Sequence, residues 1–281
     1  MIHRNRDLRF SRAPLFIRLF IPLALIVALL APMNFVLVTP GPATKLFPEV
    51  LSLEVNSEIK VYPANGQLNL LTIYITNPES YVFGAEVLGC WAWGDCVAMP
   101  RSVMYQDGAT DEQEFKSGEK DMVKSQNVAL AAAKGAIRRN FSGVDLSSVK
   151  DSSVKVSLKN TGGPSGGLIF SLGLIDLLTS EDLLKGRNIA GTGTIDVDGT
   201  VGPIGGVTEK IIGAKRAGAS VLFISTQNCS ELPARVEGIE VIAVEKIDQA
   251  IDYLREPFSA GKTVGKELNS AGIRGCASVG A

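Results

Sequence analysis

Histidine is nearly absent. The 281-residue chain has one, His3, ahead of a hydrophobic block near the N-terminus. No imidazole is therefore at hand for a folded domain to use as general base, metal ligand or pH switch. Ser-His-Asp and Cys-His catalysis are excluded unless a partner supplies the ring. Cysteine is sparse as well. The four, Cys90, Cys96, Cys229 and Cys276, form no CxxC pair, and with His3 the one histidine no zinc site is expected. An excess of charge of one sign is also lacking. With 28 Lys+Arg against 29 Asp+Glu the net charge is −1, and no global field favours nucleic acid. Any hydrolytic chemistry in this chain must take a carboxylate or a lysine as its base.

What is present begins with arginine. Arg4, Arg6, Arg9, Arg12 and Arg18 crowd the start, after which Leu19 to Val38 carries no charged residue. A helix across a bilayer core needs about 20 such residues. Pro22 and Pro32 would kink it, which membrane helices tolerate. The arginine excess sets the N-terminus in the cytoplasm and all that follows outside. A cleaved signal peptide, with small residues near Ala31, and a buried core helix are the competing readings. Outside the cytoplasm, Cys90 and Cys96, which bracket WAWGD, form either a disulfide or two buried free thiols.

Further along, TPGPA (39–43) reads as an extended linker. Residues 51–55, 58–62 and 69–76 read as strands, 81–93 as an apolar helix, and 106–120 as an exposed polar loop. A helix is expected over 122–139. A strand follows at 154–158, then the turn NTGGPSGG and a buried helix over 168–178. The Asp198-Gly199 turn joins strands 188–196 and 200–204. A helix over 207–217 is closed by Gly218. Strands at 220–225 and 239–244 and a helix over 246–255 complete an α/β class.

Two segments carry chemistry. In GGPSGGL, Gly162 and Gly163 allow sharp turns and Pro164 fixes a further dihedral. Ser165 then stands at a helix mouth, where unpaired N–H groups and the dipole suit an oxyanion. Ser165 as a plain N-cap is the alternative. On the helix from Val207, Lys210 shares its face with Val207, Ile211, Ala214 and Ala217, while Glu209 lies off that face. A lysine amine in apolar surroundings loses pKa and can act as a base. A snorkelling lysine is the alternative, and Lys215 at the stripe edge is a second candidate.

Together the two segments resemble the proteolytic domain of Lon proteases. The resemblance rests on GGPSGGL, on GTGTIDVDGTVGPIGGVTEK and on the following AKRAG. It is supported by SGEKDMVKSQNVALAAAKGAIRRN as the helix before the serine. It implies a Lon-like α/β (α+β) domain with Ser165 as nucleophile and Lys210 as base. Thr192 would position the amine, with Gly163, Pro164 and Gly166 shaping the serine turn. It implies polypeptide substrates, no cofactor or metal, and a homo-oligomeric ring as a possible assembly. The layout is most similar to bacterial single-pass PDZ–Lon proteins. The organisation expected is a basic cytoplasmic tail over 1–18, a signal anchor over 19–38, and a linker with first strands over 39–66. The Lon-like domain follows over 67–256, and a poorly ordered tail over 257–281.

Departures accompany the likeness. The stretch between Met122 and Ser165 is too short for a PDZ module. Gly166 stands where the family usually has alanine, and Gly162 where it often has an acid. The GKT at 261–263 lacks the upstream glycine of a P-loop, so no ATPase motor is expected. Two rival functions stand beside the protease: a catalytically silent Lon-like binding protein, and a phosphate cradle of the small-molecule-kinase kind, which leaves Lys210 and Thr192 unexplained.

Overall fold

The apolar block splits at its second proline. Leu15–Leu30 is helix α1, and Pro32–Met33 and Phe35–Lys45 are strands β1 and β2. Proline pushes the residue before it out of the α region, and Ala31 is extended, with φ −66 and ψ 133. One continuous helix over 19–38 is therefore corrected. The helix includes Arg18, expected in the basic tail, and Val36 and Val38 are buried in a sheet. The 16 residues of α1 reach about 24 Å at 1.5 Å each, against a bilayer core of about 30 Å. Among the described residues no helix is long and apolar enough to cross a membrane. The computed structural model describes residues 14–54, 59–158, 161–233, 235–256 and 275–276, so His3 and the other tail arginines lie outside it.

Leu51–Leu53 is β3, Gln67–Ile75 β4, Val82–Phe83 β5, Gly84–Trp93 α2, Val97–Pro100 β6, Arg101–Met104 the single turn α3, and Asp111–Asn140 the long helix α4. Val154–Val156 is β7, Gly167–Leu178 α5, Asn188–Gly191 β8, Thr194–Ile195 β9, Val201–Gly202 β10, and Val207–Arg216 α6. Val221–Ser225 (β11), Glu240–Val244 (β12) and Ile247–Arg255 (α7) follow. Six strands form one mixed sheet in the order β12-β11-β8-β4-β2-β6. It is parallel from β12 to β4 and antiparallel from β4 to β6.

Three expectations change, each for a local reason. TPGPA is not a linker but the middle of β2. Its prolines are tolerated because β6 covers β2 only from Phe35 to Val38, and because the register with β4 shifts between Pro40 and Ala43. The polar stretch 106–120 is not a loop throughout, since α4 starts at Asp111. Thr110 Oγ1 accepts from the Gln113 N–H (3.3 Å) and Gln113 Oε1 from the Thr110 N–H (3.4 Å), while Asp111, Glu112 and Glu114 face the positive helix end. Residues 59–62, within an expected strand, form none, and the Tyr62 N–H instead donates to the Leu177 carbonyl.

The core lies where α5 is sandwiched between the sheet and α4. Every residue of α5 is buried. The facing side of α4 is alanine-rich, with Ala129, Ala132, Ala133 and Ala136 fully buried, which lets the two helices approach closely. Full burial of a Leu, Ile or Phe side chain contributes about 1.5–3 kcal/mol, so this layer fixes α5 and the turn that leads into it.

Two disulfides are formed. Cys90–Cys96 closes the end of α2 onto β6, resolving the open pair of readings. Cys229–Cys276, which spacing did not suggest, ties the segment after β11 to a buried residue of the tail. The rest of the tail lies outside the described residues. Closing a loop of 47 residues restricts the unfolded chain by about 4 kcal/mol on the chain-entropy estimate. Replacing Cys229 and Cys276 together by alanine is expected to lower urea-unfolding stability by about 2–4 kcal/mol. An unchanged midpoint would mean that the bond does not hold the native state.

Candidate active site

The serine turn is tied down on three sides. Gly163 has φ +90, a conformation that glycine adopts at no steric cost. Its N–H donates to the Gly118 carbonyl on α4 at 2.8 Å. Ser125 Oγ, also on α4, donates to the Pro164 carbonyl at 3.0 Å. From the opposite side, the Ser165 carbonyl accepts from the Gly193 N–H (2.9 Å) and from Thr192 Oγ1 (3.2 Å). Gly162 crosses α4 so closely that a Cβ there would lie 2.9 Å from Gly118 Cα.

Ser165 is thereby held, half-buried, just before the first turn of α5. Among the described residues, no backbone carbonyl takes the N–H groups of Ser165 and Gly166, whereas those of Gly163, Gly167 and Leu168 are engaged. The two open amides at the positive end of a buried helix suit a developing oxyanion. Gly163 shapes the turn but has no amide to give.

Lys210 comes from the other side of the cleft. Gly206, with φ +69, turns the chain into α6, and the Lys210 N–H donates to its carbonyl at 2.9 Å. The side chain is 3 % exposed and sits with buried Val207, Ile211 and Ala214. Burial lowers its pKa to about 8. The Lys210 Nζ donates to Thr192 Oγ1 at 3.2 Å, and Thr192 is itself fully buried. Thr192 thus links amine to serine backbone, Lys210 to Thr192 to the Ser165 carbonyl, rather than the amine meeting the Ser165 hydroxyl directly. Lys215 is exposed and off the cleft. Glu209, expected off the apolar face, is buried as well.

Ser165 and Lys210 line one open cavity of about 860 Å³. One wall is β4 from Leu70 to Ile75, the other the segment Ser157–Leu158 and Thr161–Gly166. β8 pairs with β4 only as far as Leu70. Beyond that residue no strand among the described residues pairs with the edge of β4 facing the cavity. Gly118, Ser125 and Gly193 were invisible as site residues. Only Gly118 left a trace, as a glycine in the stretch read as an exposed loop. Among the described residues no group of His, Cys, Asp and Glu is arranged to hold a metal ion.

Comparison with known proteins bears on this geometry. Residues 115–256 match the Lon protease (S16) C-terminal proteolytic domain. "Lon protease 2" of Herpetosiphon aurantiacus is 32 % identical over 227 residues, covering 73 % of this chain and 27 % of that protein. "Lon protease 2" of Bacillus subtilis is 26 % identical over 222 residues, or 77 % of this chain and 38 % of the relative. "Lon protease" of Koribacter versatilis is 38 % identical over 95 residues. The chain therefore spans well under half the length of these relatives. The family match takes in both Ser165 and Lys210 and covers half the chain, and on that ground the chain belongs to the Lon protease (S16) C-terminal proteolytic domain family.

Proposed function

We propose that this chain is a serine endopeptidase that works with a Ser165–Lys210 dyad and without a nucleotide. The observation that carries the reading is the convergence of a turn-held serine, two open amides and a buried lysine of lowered pKa on one cleft. Neutral Lys210 takes the Ser165 Oγ proton as that oxygen bonds to a peptide carbonyl carbon. The N–H groups of Ser165 and Gly166 hold the oxyanion. The C–N bond breaks as the Lys210 ammonium returns the proton to the amine. Water, with Lys210 again as base, then hydrolyses the ester. The direct test is labelling with a serine-directed phosphonylating probe and peptide mapping, with Ser165→Ala and Lys210→Ala alongside. Label on the Ser165 peptide, lost in both variants, supports the dyad; no label on folded protein favours a catalytically silent binding protein.

Thr192 orients the base in this reading. Thr192→Val is expected to lower kcat about tenfold, the cost of losing a hydrogen bond to a charge-bearing group. Thr192→Ser should restore most of it. A Thr192→Val enzyme with unchanged kcat would leave Thr192 a purely structural residue.

The strandless edge of β4 supports extended or unfolded polypeptide as substrate, added as a further strand beside the cleft. Membrane attachment is part of the proposal too. α1 has no buried residue and is apolar nearly all round, a pattern at home in lipid rather than water. Trp91 and Trp93, each 82 % exposed, stand on α2, whose first residue packs on the Ala28 carbonyl of α1. The two disulfides support a site outside the cytoplasm. Action on membrane-proximal segments and assembly into a homo-oligomeric ring complete the reading, both carried over from the family resemblance.

A further inference from the structure

The cleft does not end at Ser165. From Leu158 and Gly162 it opens, past Ile73, Ile75, Met104 and Met122, into a second hollow of about 780 Å³ under the first turns of α4. Its floor is apolar, completed by Phe115 and Val123. Its walls are acidic. Asp111, Glu112, Glu114 and Glu119 line this hollow, and Glu49 lines the part nearer Ser165. Among the described residues, Lys210, at the reacting end, is the one Lys or Arg lining either part. The chain as a whole has nearly balanced charge, so this one-signed lining is local to the cleft.

Two of the acids have structural work. Asp111 accepts from the Glu79 N–H (2.9 Å) and the Asn77 side chain (3.4 Å), and Glu112 pairs with Lys116 at 2.5 Å. Both, together with Glu114, also sit in the first turn of α4, where negative charge is stabilising. Glu119 lies beyond that turn and gains nothing from the helix end. Glu49, Glu114 and Glu119 form no ion pair among the described residues. Glu114 and Glu119 flank the stripe of Phe115, Gly118 and Met122 on opposite sides.

We propose that the cleft selects extended polypeptide segments in which an apolar residue has lysine or arginine two positions away on each side, the spacing that keeps the three side chains on one face, with Glu114 and Glu119 as the specificity-determining carboxylates. The apolar side chain lies on the Phe115–Met122 floor, and its basic neighbours reach the carboxylates on either flank. This rests on the endopeptidase reading above. The negative potential also favours encounter with basic segments, and it weakens as salt screens it.

The test uses the full chain in detergent and three internally quenched peptides. They share one apolar centre and differ two positions away on each side: arginine, glutamine or glutamate. The expected order of kcat/KM is arginine above glutamine above glutamate. Arginine over glutamate should reach about tenfold or more at low salt, carried mainly by KM and reduced in 0.5 M salt, where the screening length is about 4 Å. Glu114→Gln with Glu119→Gln should bring the arginine-to-glutamine ratio close to one. Equal rates for the three peptides, or a ratio unmoved by the double substitution, would overturn the proposal. Binding of the same peptides to Ser165→Ala, read by fluorescence anisotropy, separates the two readings. Preferential binding of the arginine peptide with no cleavage by the unsubstituted protein retains the charge selection and removes the endopeptidase. Cleavage without preference does the reverse.

Discussion

Lys210→Met should reduce peptide turnover by about three orders of magnitude, the scale of a general base and acid removed from its transition state. Methionine matches the buried stem in length and keeps the packing against Val207, Ile211 and Ala214, so the loss reports chemistry rather than unfolding. Ser165→Ala should cost as much. The double variant should cost little more than either single one, because nucleophile and base act in the same step. The pH profile gives an independent reading. The active form is the neutral amine, and burial lowers its pKa to about 8. Activity should therefore rise with pH and fall away as pH drops through 8. Between pH 6 and pH 8 the neutral fraction grows about fiftyfold for one such group. A flat profile over that range, or a Lys210→Met enzyme within tenfold of the parent, would sink the dyad.

The parts of this site legible in the sequence were those whose chemistry is local. GGPSGGL announces a sharp turn into a buried helix, and α5 runs from Gly167 to Leu178 with every residue buried. The 3.6-residue period of α6 puts Lys210 on an apolar face, where the structure has it. What could not be read depends on partners distant in sequence. Gly118 and Ser125 hold the serine turn from α4, and no periodicity links a helix position to a turn some forty residues away. Phe35–Lys45 was obscured by composition. Its first residues continue an apolar block of helical length, and its prolines signal a linker until the bulge and the short reach of β6 are known. α4 was truncated because charge at residues 111–120 looked like a loop, although Thr110 and Gln113 form a capping box. The Cys229–Cys276 bond needed the tail to return to the sheet edge, which spacing does not encode.

Stability should move against activity as pH rises, and Asp176 is the reason. This carboxyl lies on α5, 4 % exposed, and its Oδ2 has no hydrogen-bond partner. Burial, with a smaller push from the charge of Asp182, raises its pKa from 3.8 to about 7. The folded state thus holds a proton that the unfolded state releases above pH 4. Its contribution to stability is fully present below pH 4 and is lost as pH rises through 7, by about 4 kcal/mol for a three-unit difference. Asp176→Asn removes the titration and keeps an acceptor for the Leu183 N–H. At pH 8 it should raise urea-unfolding stability by about 2–3 kcal/mol, and at pH 4 by nearly nothing. Taking the difference between variant and parent cancels the opposite trend of Asp198 and Asp248, whose lowered pKa values cost stability in acid. Equal differences at both pH values would mean that Asp176 is not protonated in the native state. The same helix presents the Ser165 and Gly166 amides at its start. By the pH that frees the Lys210 amine, the element on which the oxyanion site stands has therefore already lost the Asp176 contribution. Close to the melting temperature, the folded fraction should therefore fall between pH 4 and pH 7 while activity per folded molecule rises, and in Asp176→Asn that fall should disappear.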